Sequence, residues 1–441
     1  MLGSLSKDAY RPSSPDAVFA TVARAASEAM TCPRGPVCVE IPIDFQYAAA
    51  SATKEPVPAV SRAVAGEGAD ISRAAEVLAR CRRPLVWAGG GAVAAEAAEE
   101  VSALVRRLGA GLLTSPNGRG LLAEDDPLCI GNLSWDPDVG TLCAEADVLV
   151  AIGTRFQGPN TQNWEMALPA RLIHIDLDPS VPGRNYPVEV AIVGDARLST
   201  AALGDTLGRS GASGVLAETG WSERVRSVAA SARERLRATL GSQVGLLDFM
   251  QACLDSRTVV VKDSTIPAYT WGNRLLEVRR PRTSIMPNSF AIGLGLPHAL
   301  GAAVACEGRP VVLLVGDGGF MVSAPELATV AQEGLAIVII VFVDGGYGVV
   351  GNIQRRQYGG DTGRIGVELG RPDFCTLAGA FGIAAERVTT IEAYARALSA
   401  AVGAQRPFLL EVDLDSIGPM TIAYTGTSRP AVGAAAPGLR F

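Results

Sequence analysis

Residues 311–348 read VVLLVGDGGFMVSAPELATVAQEGLAIVIIVFVDGGYG, and this stretch decides the fold. Two aliphatic runs, 311–315 and 336–343, each end in an acidic glycine corner: Gly316-Asp317-Gly318-Gly319 and Asp344-Gly345-Gly346. Apolar runs without alternation read as strands buried on both faces. The stretch between them suits a helix, its opening placed near Ser323-Ala324-Pro325 with Pro in the first turn. A right-handed crossover makes the two strands parallel, so their carboxyl ends share one edge. Open α/β sheets bind ligands at that edge. Asp317 and Asp344, 344 − 317 = 27 positions apart, are thus expected in one crevice.

Two carboxylates in one crevice repel unless they are protonated or bridged by a cation. Hard oxygen ligands suit Mg²⁺ or Ca²⁺, and Mg²⁺ commonly combines few carboxylates with phosphate oxygens. The flanking glycines leave backbone N–H groups free to approach an anion. Metal plus diphosphate is the ligand this arrangement suggests.

Outward from the pair, the same pattern recurs. TVVVKDS and PFLLEVDLD join the two central runs as further strands, with helical segments between. Upstream, RPLVWAGGG, AGLLTSP, ADVLVAIGTRF, ARLIHIDLDP and VEVAIVGDA alternate with amphipathic stretches. The class is α/β, with two doubly wound parallel-sheet domains and a remnant of a third. The expected divisions are 1–46 remnant, 47–68 linker, 69–207 central domain, 208–244 helical linker, 245–424 diphosphate-binding domain and 425–441 mobile tail. In the central domain Gly89-Gly90-Gly91-Ala92-Val93-Ala94 has the form of a dinucleotide turn. The next strand ends in Thr114-Ser115-Pro116 rather than an acid, which favours a tight structural turn. His174, Asp176 and Asp178 alternate on one strand face and read as a hydrogen-bonding strand end.

Composition narrows the chemistry. Lys+Arg 39 against Asp+Glu 45 leaves a net charge of −6, which argues against nucleic acid or an anionic membrane as partner. The eight cysteines are scattered without a CxxC pair, as expected of a reducing cytoplasm. No apolar stretch reaches membrane-spanning length without interruption. With two histidines, His174 and His298, His-based triads and multi-His metal sites are nearly excluded. Chemistry must rest on carboxylates, backbone groups or a cofactor.

The motif GDGGF…ELATVA…VDGGYG resembles the signature of thiamine diphosphate enzymes of the acetolactate synthase, pyruvate oxidase and benzoylformate decarboxylase type. The resemblance implies that Asp317, Asp344 and the Gly346 carbonyl hold Mg²⁺, which bridges the diphosphate, with Gly318, Gly319, Tyr347 and Gly348 around it. NSFAIGLGLPHALGAAVA resembles the turn that supports the bent cofactor, with Ile292 as the wedge between its rings and the Phe290 carbonyl facing the aminopyrimidine. KDSTIPAYTWGN resembles the stretch touching the diphosphate, pointing to Ser264, Thr265 and Ile266. Val350 and Gln354 fall where family members place substrate-facing residues, although core packing explains Val350 equally well. One position departs from the pattern: Val343 stands where the family has Asn, which puts a hydrogen bond near the diphosphate in doubt.

The resemblance implies a Mg²⁺-dependent enzyme acting on a small 2-oxo acid, by decarboxylation or carboligation, as a cytoplasmic homodimer or tetramer. It also implies that residues 1–46 match only the last part of a pyrimidine-binding domain. The family's ring-activating glutamate lies early in that domain, and no residue here matches it; Glu40 is at the wrong place. The expectation is a piece of a longer chain, with a partner chain supplying the domain, or a non-catalytic cofactor-binding subunit, as alternatives. An FAD-carrying acetolactate synthase, using GTRFQG and GGGAVA for flavin, is the competing enzyme reading.

Overall fold

The computed structural model describes residues 2–51, 63–209, 216–289, 291–306, 308–358, 365–422 and 424. Half of the expected linker 47–68, residues 52–62, and the whole expected tail 425–441 lie outside these residues. At the amino end, β1 (Asp8–Tyr10) and β2 (Val37–Val39) pair in parallel beside the helix Val18–Met30.

Two six-stranded sheets, parallel throughout, make up the rest. The central sheet contains β3 (Pro84–Ala88), β4 (Gly111–Thr114), β5 (Cys129–Gly131), β6 (Val148–Ile152), β7 (Leu172–Asp176) and β8 (Val190–Val193), ordered β5-β4-β3-β6-β7-β8. Strands such as PLVWA and VLVAI are buried on both faces because helices cover both. On one face the helix Ala98–Leu108 buries Val101, Leu104, Val105 and Leu108 at helical spacing. Glu99 and Glu100 open it, Arg106 and Arg107 close it, and Gly109 ends it at φ 65°. On the other face the helix Trp221–Ala238 buries Trp221, Val225, Val228, Ala229, Ala232 and Leu236 in the same layer as Trp87 and Leu113. Much of the stretch expected as a linker, 208–244, is therefore a covering layer of the central sheet. Its Arg- and Glu-rich outer face masks the apolar stripe in the sequence.

The second sheet contains β9 (Val259–Lys262), β10 (Ser284–Ile285), β11 (Val311–Gly316), β12 (Ile337–Val343), β13 (Ala384–Val388) and β14 (Phe408–Asp413), ordered β10-β9-β11-β12-β14-β13. Each sheet has a switch point where strand order reverses direction, between β3 and β6 in one and between β9 and β11 in the other. Crevices outside the carboxyl ends of such strands are where this architecture takes ligands. Among the described residues, no helix is long and apolar enough to cross a membrane.

Candidate functional site

β11 and β12 run side by side with Gly316 opposite Phe342, which brings their acidic corners together. The first corner is not a bare turn, and the helix does not wait for Ser323. It begins at Asp317 and runs to Ser323, with Pro325 in a separate short turn, Ala324–Glu326. Gly316, in extended conformation, is its N-cap. Asp317, 3% exposed, takes the Gly318 N–H on Oδ1 at 2.7 Å and the Gly345 N–H on Oδ2 at 2.8 Å. Burial lifts its carboxyl above the ordinary range, while these N–H groups pull it back. Asp344 is pushed up to about 6, first by burial and then by the Asp317 charge beside it. Such a pair is poised for a divalent cation, since a bridging metal removes both penalties.

The glycines keep this crevice open. A Cβ on Gly348 would strike Asp344 Oδ2, one on Gly346 the Val367 carbonyl, and one on Gly318 the Tyr347 ring at 2.6 Å. The loop after Asp344 is held from behind, where Tyr347 N–H donates to Val367 O at 2.8 Å and Leu369 N–H to Gly345 O at 2.9 Å. Two carboxylates, a loop carbonyl and bare backbone fit Mg²⁺ with a diphosphate by the chemistry of the donor set.

A cavity of about 1210 Å³ extends from this corner to the edge of the central sheet. Ser264, Thr265, Ile266, Ile292, Asp317, Gly318, Gly319, Asp344, Gly346, Tyr347 and Gly348 all line it. Phe290 lies outside the described residues. Val350, 46% exposed, also lines the cavity and so is no core residue. Gln354 is absent from the lining and instead pairs twice with the Ile365 backbone, at 3.1 Å each way. Val343, the departure from the family pattern, packs into an apolar layer of the second sheet. His298 is exposed, with Nδ1 2.6 Å from Leu294 O, and His174 Nε2 is buried 2.8 Å from Thr154 O. Neither histidine lines the cavity.

Asp263 escaped the sequence reading. Fully buried after β9, it accepts N–H groups from Ser264 at 2.6 Å and Gly293 at 3.2 Å on Oδ1, and from Gly295 at 2.7 Å on Oδ2. It thereby fixes the turn carrying Ile292, where Gly293 sits at φ 82°. A lone acid after a strand carries no signal for this role, which needs a partner turn about thirty residues away.

At the central sheet the cavity is lined by Gly90, Gly91, Thr154, Arg155, Asp176 and Asp178. Gly89 and Gly91 lie so close to Gly153 that a Cβ on Gly91 would be 2.8 Å from its Cα, a close approach of two turns at the switch point. Met30–Arg34, from the amino-terminal helix and loop, form another wall.

Residues 267–412 match the family model described as the thiamine pyrophosphate enzyme C-terminal TPP binding domain, and residues 71–203 match that of the central domain. The chain belongs to the thiamine pyrophosphate enzyme family. Within this family it is 30% identical to a probable acetolactate synthase large subunit of Methanocaldococcus jannaschii, over 89% of this chain and 69% of that protein. It is 34% identical to a probable 2-ketoarginine decarboxylase of Pseudomonas aeruginosa, over 86% of this chain and 66% of that one. The chain thus spans about two thirds of the length of these relatives. The fold matches an X-ray structure described as that of a thiamin diphosphate-dependent enzyme from Mycobacterium smegmatis, at TM-score 0.75 and 24% identity, covering 92% of this chain and 76% of that chain. The thiamine pyrophosphate enzyme resemblance read from residues 311–348 and the parallel two-sheet class both stand.

Proposed function

We propose that the protein binds thiamine diphosphate through Mg²⁺ held by Asp317, Asp344 and the Gly346 carbonyl, and acts on a 2-oxo acid as an acetolactate synthase-like decarboxylase or carboligase. The observation that carries this reading is the paired corner, with Asp317 bonded across to Gly345 and Asp344 raised to about 6. When bound, the cofactor's thiazolium supplies the electron sink for loss of CO₂. The chain's own residues do the rest. Ser264, Thr265 and the glycine corners receive the diphosphate, Ile292 shapes the cofactor, and Val350 with Ile353, which also lines the cavity, gives the substrate an apolar wall. The division into a central unit and a diphosphate-binding unit, meeting at one cavity, belongs to this reading, as does assembly into a homodimer or tetramer.

Calorimetric titration of thiamine diphosphate, with Mg²⁺ and then with chelator, tests the cofactor assignment. Binding that ignores chelator overturns the metal clamp. Pyruvate turnover, alone and with a full-length relative added, separates an enzyme from a non-catalytic subunit, which retains cofactor and stays silent in both.

A flavin-carrying acetolactate synthase is the second reading. It is favoured by the continuity of the cavity with the central switch point, where bare Gly90–Gly91 backbone faces Asp176 and Asp178. A flavin absorbance spectrum in the purified protein supports it, and a colourless protein that takes up no FAD rejects it.

A further inference from the structure

We infer that Arg119 and Glu124, both on the central unit, are positioning residues for the diphosphate end of the cofactor. The inference rests on the cofactor reading above. The two side chains, 1% and 6% exposed, form a two-pronged pair, Nε to Oε1 at 2.7 Å and Nη2 to Oε2 at 2.5 Å. Withdrawing both charges from water costs more than their attraction returns unless their remaining hydrogen-bond capacity is filled. The other sheet unit fills it. Arg119 donates to Gly272 O at 3.1 Å and Leu276 O at 2.5 Å, and Glu124 Oε2 accepts the Val278 N–H at 2.9 Å. Glu124 N–H returns a bond to Val278 O at 3.2 Å.

The gripped segment is the continuation of the cofactor cradle. Gly272 ends a π-helical turn, Ala268–Gly272, and such wide turns occur mostly as single turns, frequently at functional sites. That turn holds residues 264–266 from below. Tyr269 N–H donates to Thr265 O at 2.9 Å, the Tyr269 hydroxyl to Ser264 Oγ at 2.9 Å, and Thr270 Oγ1 to Ile266 O at 2.7 Å. Ser264, Thr265 and Ile266 line the cavity, and Thr265 Oγ1 lies 3.0 Å from where a Gly316 Cβ would stand, beside Asp317. The π turn is thus pinned at its cavity end by the cradle and at its far end by Arg119.

Two further features belong to the same grip. Asn132 Nδ2 donates to Asn273 O at 3.2 Å, and the Arg274 guanidinium lies 4.3 Å over the Trp135 ring. Gly120, at φ 85°, lets the loop bearing Arg119 approach so closely that a Cβ would run into the Arg280 carbonyl. A pair placed only to hold two units together does not need to end on the carbonyl that closes this turn.

The test titrates thiamine diphosphate at saturating Mg²⁺ by calorimetry, well below the melting midpoint of each protein. Arg119→Met with Glu124→Met removes both charges, and Glu124→Gln keeps shape and fold if the double variant fails to fold. Leu104→Ala, in the buried layer that also holds Leu121 and Leu122 of the same loop, is a destabilised control that leaves the charge pair intact. The inference expects cofactor affinity at least about tenfold weaker in the double variant, about threefold weaker in Glu124→Gln, partial recovery in Arg119→Lys, and an unchanged value in Leu104→Ala. Wild-type affinity in a folded Glu124→Gln or double variant overturns it, as does an equal loss in Leu104→Ala. A wild-type protein that binds no cofactor defeats the underlying reading, and the inference with it.

Discussion

Asp317 is bonded to the loop that follows the neighbouring strand, its Oδ2 taking the Gly345 N–H at 2.8 Å. One carboxylate therefore serves as candidate metal ligand and as the brace that holds the Asp344–Gly346 loop against the first corner. Ligand geometry and loop geometry are fixed by the same two oxygens.

Replacing this residue separates the two duties. Asp317→Asn keeps a carbonyl oxygen for one N–H but loses the charge, and Asp317→Ala loses both. Both variants are expected to lose Mg²⁺-dependent cofactor binding by about 100-fold or more. Asp317→Ala also loses about 1–3 kcal/mol of stability for the buried N–H groups left unpaired. Calorimetric titration and thermal melting read the two effects apart.

The pH dependence follows from Asp344. Its carboxyl is raised to about 6, so below that pH the site holds a proton that Mg²⁺ must displace. Apparent Mg²⁺ affinity is expected to be level above pH 7 and to fall by up to about tenfold per unit once pH drops below 6. The stability sign is opposite in chelator. A carboxyl raised on folding contributes stability that is fully present below its ordinary value of 3.8 and is lost as pH rises through about 6. Asp344→Asn should therefore melt higher than wild type at pH 7 in chelator, and the advantage should vanish near pH 4.

Gly348→Ala sets local preference against position. Gly348 opens the helix Gly348–Tyr358, where Ala is intrinsically better by up to about 1 kcal/mol. Its Cβ would meet Asp344 Oδ2, however, and stand 3.1 Å from Ile266 Cδ1. The expected outcome is a protein that melts near the wild-type temperature but binds Mg²⁺ and cofactor about tenfold more weakly, measured by the same titration.

Asp263 should behave differently from Asp317 and Asp344. Asp263→Ala leaves the Ser264, Gly293 and Gly295 N–H groups without their acceptor, at a cost of about 2–5 kcal/mol. Denaturant melts should display that loss in chelator, without any metal. An unchanged midpoint removes Asp263 from the frame of the Ile292 turn.

What the sequence made legible was local. β11 and β12 announce themselves as aliphatic runs, and their acidic corners sit where a parallel crossover must deliver them. The short edge strands β5, β10 and β13 carried no such signal. Two or three residues have no periodicity, and AAERV on an exposed edge mixes charge into its pattern. Opening the helix near Ser323-Ala324-Pro325 gave proline too much weight, since Gly316 already caps a helix whose first residue is Asp317. Asp263, and Arg119 with Glu124, act across gaps of thirty to one hundred and fifty residues, where spacing has no meaning. Their roles exist only once the two sheets meet.

That meeting has a consequence for redesign. Both sheets turn their switch points toward the same cavity, so its walls are carried by loops and helix starts on two separate frames. Wall residues such as Val350 lie on the surface of that volume and can be exchanged at little cost to folding. On the proposed reading, exchanging such a residue would change which acid the cavity admits and leave the corner at Asp317 and Asp344 untouched.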